Sequence, residues 1–381
     1  MQFRDIPGHA QLKQHLIRNV KESRISHAQL FSGPEGSGAL PLALAFAQYI
    51  ACEQKESDDS CGQCPSCLKM SKLIHPDLHF SLPVNQEGGT DSLHTRPFLK
   101  QWRDTFLSNP WLGLDDWVGS LEIGNKQPFI SAFEAHEIIK TLSLAPVESE
   151  YRFLLIWLPE KMRAEAANRL LKTIEEPPEK TLILLITQEY HNLLKTILSR
   201  TQLVKVDRLS IDEASEVLHR ITGLDAGRCR LASEVAQGNV VQAGWLLQHG
   251  EEAEEQLNLF RSWMQSCYGF NLPELLKIAD TCAKGTREWQ KSFFSYALYM
   301  IRQTLLMNHA AELSHVTPSE HAFLDKFRKF FHPENYEIIS GYIDDAIFHL
   351  SRNANSKILF FDLSLLIADV FRKEKEKLQK A

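Results

Sequence analysis

Four of the seven cysteines fall within sixteen residues, at Cys52, Cys61, Cys64 and Cys67, in the spacing C-x8-C-x2-C-x2-C. Thiolates two residues apart can turn onto one ion, and four of them complete the closed tetrahedral shell of a structural Zn²⁺. A set of four cysteines also serves iron–sulfur clusters, so the spacing leaves both metals open. Gly62 and Pro65 inside the run favour the tight turns such a knuckle needs. His75 and His79 follow in IHPDLHF; with four thiolates at hand they read as loop or strand residues. Cys229, Cys267 and Cys282 lie in helical patterns and read as small core residues.

A second group has the frame for phosphate chemistry without the chemistry. Gly33-Pro34-Glu35-Gly36-Ser37-Gly38-Ala39-Leu40 keeps the glycines of G-x-x-x-x-G-K-[ST] at Gly33 and Gly38. Ala39 stands where the pattern has the Lys that reaches the terminal phosphates, and Leu40 where it has the hydroxyl that holds Mg²⁺. The strand FLLIWLPEKM places Trp157 and Leu158 where nucleotide hydrolases carry acidic residues for Mg²⁺ and water. Glu160, two residues on, reads as a charge at a helix N-terminus beside Pro159. Two elements of one site carry the same loss, so no functional ATP site is expected. The glycine loop still offers backbone N–H groups to a phosphate, which leaves weak binding at best.

The elements that must position these residues are those of an α/β layered domain with a parallel sheet. Ala28–Phe31 reads as the strand entering the loop, and Leu42–Cys52 as the helix leaving it, with Pro41 tolerable in its first turn. Phe153–Leu158 and Leu182–Ile186 are continuous apolar runs of buried-strand length, and Leu203–Val206 reads as a last strand. The helix carrying Ala166, Leu170, Leu171 and Ile174 stops at Pro177-Pro178. Between residues 85 and 127 the pattern breaks: QEGGTDSLHTRPF reads as a mobile loop, and the stretch through Trp102, Trp111 and Trp117 as an insertion of short helices forming a satellite core, with a partner surface as the alternative. From Ile211 the texture is wholly helical. Short helices to residue 248, an acidic link at Glu251–Glu255, then long amphipathic helices and a frayed tail KEKEKLQKA divide the chain into 1–208, 209–250 and 251–381.

The 381 residues are 44% hydrophobic and 24% charged with a formal net charge of −6, which does not suit a chain that coats nucleic acid by itself. No run of eighteen apolar residues occurs and the N-terminus lacks signal-peptide order, so no membrane role and a cytoplasmic location are expected. In that compartment clustered cysteines point to metal rather than to disulfides.

FRDIPGHAQLKQHL, ISHAQLFSGPEGSG, the four-Cys knuckle with the following HPD, AEAANRLLKTIEEPPEKTLILLIT, Leu198-Ser199-Arg200 and SRNANSKILFFDLSLLIA together resemble one family, the delta-prime subunits of the bacterial DNA polymerase III clamp loader. The resemblance spans most of the chain apart from about residues 85–127. It implies an AAA+-like P-loop domain, a small helical lid and an all-α collar for oligomerisation. It also implies assembly with delta and ATP-binding gamma/tau subunits into a ring that opens a sliding clamp on primed DNA. Such a subunit is no enzyme by itself but part of a DNA-directed DNA polymerase holoenzyme. Ser199-Arg200 matches the family's Ser-Arg-Cys motif, whose Arg is supplied in trans to a neighbour's ATP site; Thr201 replaces the Cys. Thr187 falls at the family's polar sensor position and reads here as a strand end. Val240 and Val241 after Gln237-Gly238-Asn239 stand where relatives carry a second sensor Arg. The alternative is an ATP-hydrolysing gamma/tau-like paralogue with an atypical loop.

Overall fold

The computed structural model describes residues 1–85, 93–121, 123, 126–248, 250–311, 314, 316–331, 333–352 and 354–380. It separates into two compact units, Met1–Trp245 and Leu246–Ala381. Residues 86–92, most of the expected mobile loop, lie outside the described residues.

The first unit is built on five strands, β1 (Ala28–Ser32), β2 (Leu78–Ser81), β3 (Arg152–Trp157), β4 (Thr181–Thr187) and β5 (Gln202–Lys205). They pair in parallel in the order β2-β3-β4-β1-β5. β3 and β4 are buried along their whole length, which is why they read as unbroken apolar runs rather than as alternations. β2 is hidden in the polar stretch HPDLHF and is not announced by periodicity. Just before it, Asp77 accepts backbone N–H bonds from Val147, Glu148 and Ser149 at 2.6, 2.8 and 2.7 Å. Burial alone would push this carboxyl up; the three donors outweigh it and hold it below its ordinary value. The loop that delivers the chain to β3 is thereby tied to the entrance of β2.

The order places β1 between β4 and β5, so the chain reverses direction across the sheet beside β1. In such sheets ligands sit in the crevice past the carboxyl ends of the strands at that reversal. Gly33, Trp157 and Thr187 all lie at those ends. The helix leaving the loop spans Ala39–Ala51 and is buried throughout, so Ala39 and Leu40 belong to its apolar first turn.

The 85–127 segment is not a separate core. Its base is closed by the antiparallel bridge Val84–Phe129. Thr95 is held by the buried Glu134, which accepts from its backbone N–H at 2.7 Å and its hydroxyl at 2.8 Å. The helix Leu99–Ser108 then brings Trp102 into van der Waals range of the sheet. Its ring centroid lies 5.2 Å from that of Trp157, 5.3 Å from Trp117 and 5.9 Å from Phe80. Aromatic rings at these separations add roughly 0.5–1.5 kcal/mol per pair beyond their burial.

After β5 come helices Ile211–Thr222, Ala226–Val235 and Val240–Gln248. The first opens with the capping box Ser210/Glu213 and ends at Gly223 in the left-handed conformation. The second unit is wholly helical among its described residues, around Phe260, Trp263, Phe293, Phe294 and Phe360, with the Trp263 indole N–H donating to Ser364 Oγ at 2.8 Å. Two expectations change here. The acidic run Glu251–Glu255 is no link but part of the helix Gly250–Gly269, because Glu is a good helix former and its charge suits a helix N-terminus. The tail is helical to Lys380, as its Lys, Glu, Leu and Gln residues all favour. Cys229, Cys267 and Cys282 are buried, as read from the sequence.

Candidate nucleotide site and metal centre

The loop after β1 is held by hydrogen bonds to its surroundings and to itself. The Gly33 N–H donates to the Thr187 carbonyl at 3.2 Å, Ser37 N–H to the Pro34 carbonyl at 3.1 Å, and His9 Nε2 to the Ser37 carbonyl at 2.8 Å. Gly36 and Gly38 have φ of +73° and +85°, where a side chain is strained. The space in front of the loop is filled. A methyl group at Gly38 would lie 2.6 Å from Trp111 Cζ3, and one at Gly36 would lie 2.1 Å from Asn239 Oδ1. The remaining cavity, lined by Gly36, Gly38, Leu40, Trp111, Trp157 and Gln188, is about 30 Å³. That is room for a water or two. Trp111 is 6% exposed and Trp157 2%.

Glu35, inside the loop, accepts a backbone hydrogen bond from Leu114 at the start of the helix Leu114–Leu121. Burial, then repulsion from Asp115 and Asp116, pushes its carboxyl up to about 7. The loop thus turns toward the insert a carboxyl whose charged form is disfavoured.

Glu160 and Thr187 meet. Glu160 accepts from Thr187 Oγ1 at 2.9 Å and from the backbone N–H groups of Gln188 and Glu189 at 3.0 and 3.3 Å. In the sequence the two read as unrelated, a helix-end charge and a strand end. Twenty-seven residues separate them, and no local pattern announces the contact. Burial raises the Glu160 carboxyl despite these donors.

Arg200 and Ser199 lie elsewhere, between the short helix Lys195–Leu198 and β5. Arg200 Nε contacts Glu175 Oε2 at 2.6 Å, with its side chain 31% exposed, and Nη1 donates to the Thr196 carbonyl at 3.1 Å and to Ser199 Oγ at 3.4 Å. Thr201 Oγ1 donates to the Ile197 carbonyl at 3.1 Å.

The four knuckle cysteines come together, every Sγ within 4.8 Å of every other. Cys52 and Cys61 are 3.6 Å apart and Cys61 and Cys67 3.9 Å. A tetrahedron with metal–sulfur bonds of about 2.3 Å has edges of ~3.8 Å, so the group fits one ion. Backbone N–H groups of Gln63 and Cys64 donate to Cys61 Sγ at 3.4 and 3.3 Å and bring its thiol down to about 7. Burial pushes Cys67 up. Cys64 caps the helix Pro65–Ser71, accepting from Cys67 N–H. His75 and His79 are not among the ligands; His75 Nδ1 accepts from the Asp77 N–H. The knuckle also holds the chain's start: Asp59 accepts from the backbone N–H groups of Phe3 and Arg4 at 3.1 and 2.9 Å.

Sheet order, glycine loop and the helices that follow define an α/β P-loop domain of the AAA+ type. The profile of one family, described as DNA polymerase III, delta subunit, matches residues 8–210, more than half of the chain, and the chain belongs to that family. It is similar to the DNA polymerase III subunit delta' of Bacillus subtilis (strain 168), 28% identical over 248 residues, covering 65% of this chain and 61% of that one. It is also similar to the subunit delta' of Yersinia pestis, 30% identical over 189 residues (49% and 43% covered). The subunit tau of Bacillus subtilis (strain 168) is 24% identical over 250 residues (64% and 37% covered). The matches thus span less than two thirds of these relatives' own lengths. Among solved structures, a gamma subunit-related protein from Thermotoga maritima aligns over 94% of this chain and 99% of its own at 15% identity, with a TM-score of 0.36.

The knuckle and the loop carboxylate can each be tested in the isolated chain. Purified chain should carry one metal ion per molecule, and Cys64→Ser should lose it, lowering the thermal midpoint by at least roughly 5 °C. Metal-free protein that melts with the loaded form would exclude a stabilising ion. For Glu35, the raised value means that its contribution is intact below about 4.5 and is lost as pH rises through about 7. Denaturant unfolding should therefore show Glu35→Gln gaining on the native chain between pH 4.5 and 7.5, by roughly 1–2 kcal/mol after solvent screening at this half-buried group. Parallel pH profiles would contradict the assignment.

Proposed function

We propose that this chain is a non-hydrolysing, delta-prime-type subunit of a clamp loader, organised as an α/β domain (1–208), a helical lid (209–250) and a collar (251–381). It assembles with delta and gamma/tau subunits and, through the assembled complex, acts on a sliding clamp and primed DNA. The observation that carries the reading is the filled loop: the two positions that would touch phosphate charge are apolar, and Trp111 lies on Gly38. Family membership and the delta' relatives support the assembly. The knuckle ion is Zn²⁺ with a structural role: the sulfur spacing suits a single ion, whereas the thiolates of a multi-iron cluster bind different irons and stand further apart.

Arg200 is the residue that acts, in a neighbour's site. Its partner in the free chain, Glu175, is an exposed carboxylate, and such pairs are worth about 0–1 kcal/mol. A γ-phosphate offers the same planar fork a stronger, multiply charged acceptor, so exchange from Glu175 to phosphate is downhill. Ser199 and the Thr196 carbonyl orient the guanidinium near the edge of the domain.

In a ring reconstituted with its delta and gamma/tau subunits, Arg200→Ala should leave assembly intact and lower DNA-stimulated ATP hydrolysis. The serviced site itself should lose about 10³-fold or more, seen in the ring as a partial loss. An unchanged rate removes Arg200 from the mechanism. The tau relative keeps a second reading in play, an ATP-hydrolysing paralogue. Titration calorimetry of the chain with Mg-ATP separates the two: no heat at tens of micromolar is expected, and micromolar affinity would favour the paralogue.

A further inference from the structure

The segment from Leu93 to Leu121 touches both sides of the old phosphate site, and these contacts have a direction. On the core side, Trp111 rests on Gly38, and Leu114 donates its backbone N–H to Glu35. On the lid side, Gly113 is wedged: a methyl group there would lie 2.8 Å from Val241 Cγ1 and 2.9 Å from Glu35 Oε1. The Gly113 N–H is fixed by Asp116 Oδ2 at 2.8 Å, so the wedge is held in place by its own helix start. The lid meets the loop directly as well, since Asn239 Oδ1 and the Val240 N–H crowd Gly36. Behind the wedge, the Trp102, Trp117 and Phe106 side chains are buried, and Trp102 joins the other two to Trp157, so the insert is anchored in the sheet core rather than lying on a surface.

We infer that this insert is a built-in occupant of the phosphate site, which fastens the helix Val240–Gln248 to the α/β core in the way a bound ligand between two lobes would. A ligand couples two lobes only through contacts to both, and here the indole of Trp111 and the backbone at Gly113 make them permanently. Being covalent, the occupant costs no association entropy and cannot leave, so the lid-to-core angle does not depend on nucleotide. The inference rests on reading the Gly33–Gly38 loop as a former phosphate cradle. It does not rest on ring assembly, and no partner enters its test.

Hydrogen exchange by mass spectrometry on the full chain reads the coupling. Trp111→Ala removes the ring from the loop, and Gly113→Val overfills the wedge. Each should speed exchange in the first turns of Val240–Gln248 at least tenfold while leaving β3, β4 and the knuckle protected. Unchanged lid exchange in both folded variants would overturn the inference. Because either variant could fail to fold, a third keeps the wedge filled. In Gly113→Cys/Val241→Cys the two Cβ atoms lie no more than ~4.3 Å apart, within disulfide range. The pair should oxidise nearly completely and leave lid exchange as slow as in the native chain. Failure of the folded double variant to cross-link would count against the wedge as firmly as unchanged exchange in the other two.

Discussion

The first unit turns on how the crevice at the carboxyl ends of β1, β3 and β4 is filled. A phosphate cradle is normally wet, with backbone N–H groups aimed at an anion. Remove the lysine, the magnesium hydroxyl and the acidic pair, and an unfilled cradle would leave Ala39, Leu40 and Trp157 facing water. The insert reverses that arithmetic. Trp111 lines the remaining cavity together with Ala39, Leu40 and Trp157, and Trp102 packs on Trp157 with Trp117 behind it; full burial of a large apolar side chain is worth roughly 1.5–3 kcal/mol. On the proposed reading, the apolar residues at these positions form the floor on which the insert packs. Trp157 belongs as much to the insert as to the sheet.

Three carboxylates of this unit are satisfied by donors on other segments of the chain, and each contact fixes a piece of geometry. Glu160 is held by Thr187 and two backbone donors, closing the end of β4 against the turn after β3. Asp77 pins the loop before β3 to the entrance of β2. Asp59 binds the first residues to the knuckle. A buried carboxylate left unpaired is costly, so each of these contacts resists opening.

Legibility in the sequence follows the range of the interactions. Features set by neighbours in the chain can be read directly: the glycine loop, the four-cysteine spacing, the apolar runs of β3 and β4 and the helix broken at Pro177-Pro178. β2 escapes because its residues alternate weakly and follow a polar stretch. The contacts that give the crevice its character escape for a different reason. Trp111 on Gly38, Gly113 against Val241 and Glu160 with Thr187 join segments far apart in the chain, and neither partner has a composition that names the other. The three tryptophans between residues 85 and 127 are the available signal. Read locally they suggest a satellite core, and only the fold shows that Trp111 lies on Gly38 while Trp102 and Trp117 pack toward Trp157.

Arg200, the arginine proposed to act in trans, stands in contrast to this crevice. Its pair with Glu175 is partly exposed, and pairs of that kind are worth about 0–1 kcal/mol, so the pair itself is a weak reason to keep it. In the crevice, by contrast, Ala39 and Leu40 are apolar and buried, and Glu160 is bound by Thr187 and backbone N–H groups. A chain that had simply decayed would lose both kinds of group alike. Loss confined to the inward site and retention at the edge fit the proposed division of labour, in which the subunit gives up its own nucleotide and keeps the arginine aimed at another's. A fixed internal occupant suits that role further, because an arginine delivered across an interface must be positioned to within a fraction of an ångström. A domain whose lid angle does not vary with nucleotide is a better mount for it than one that breathes.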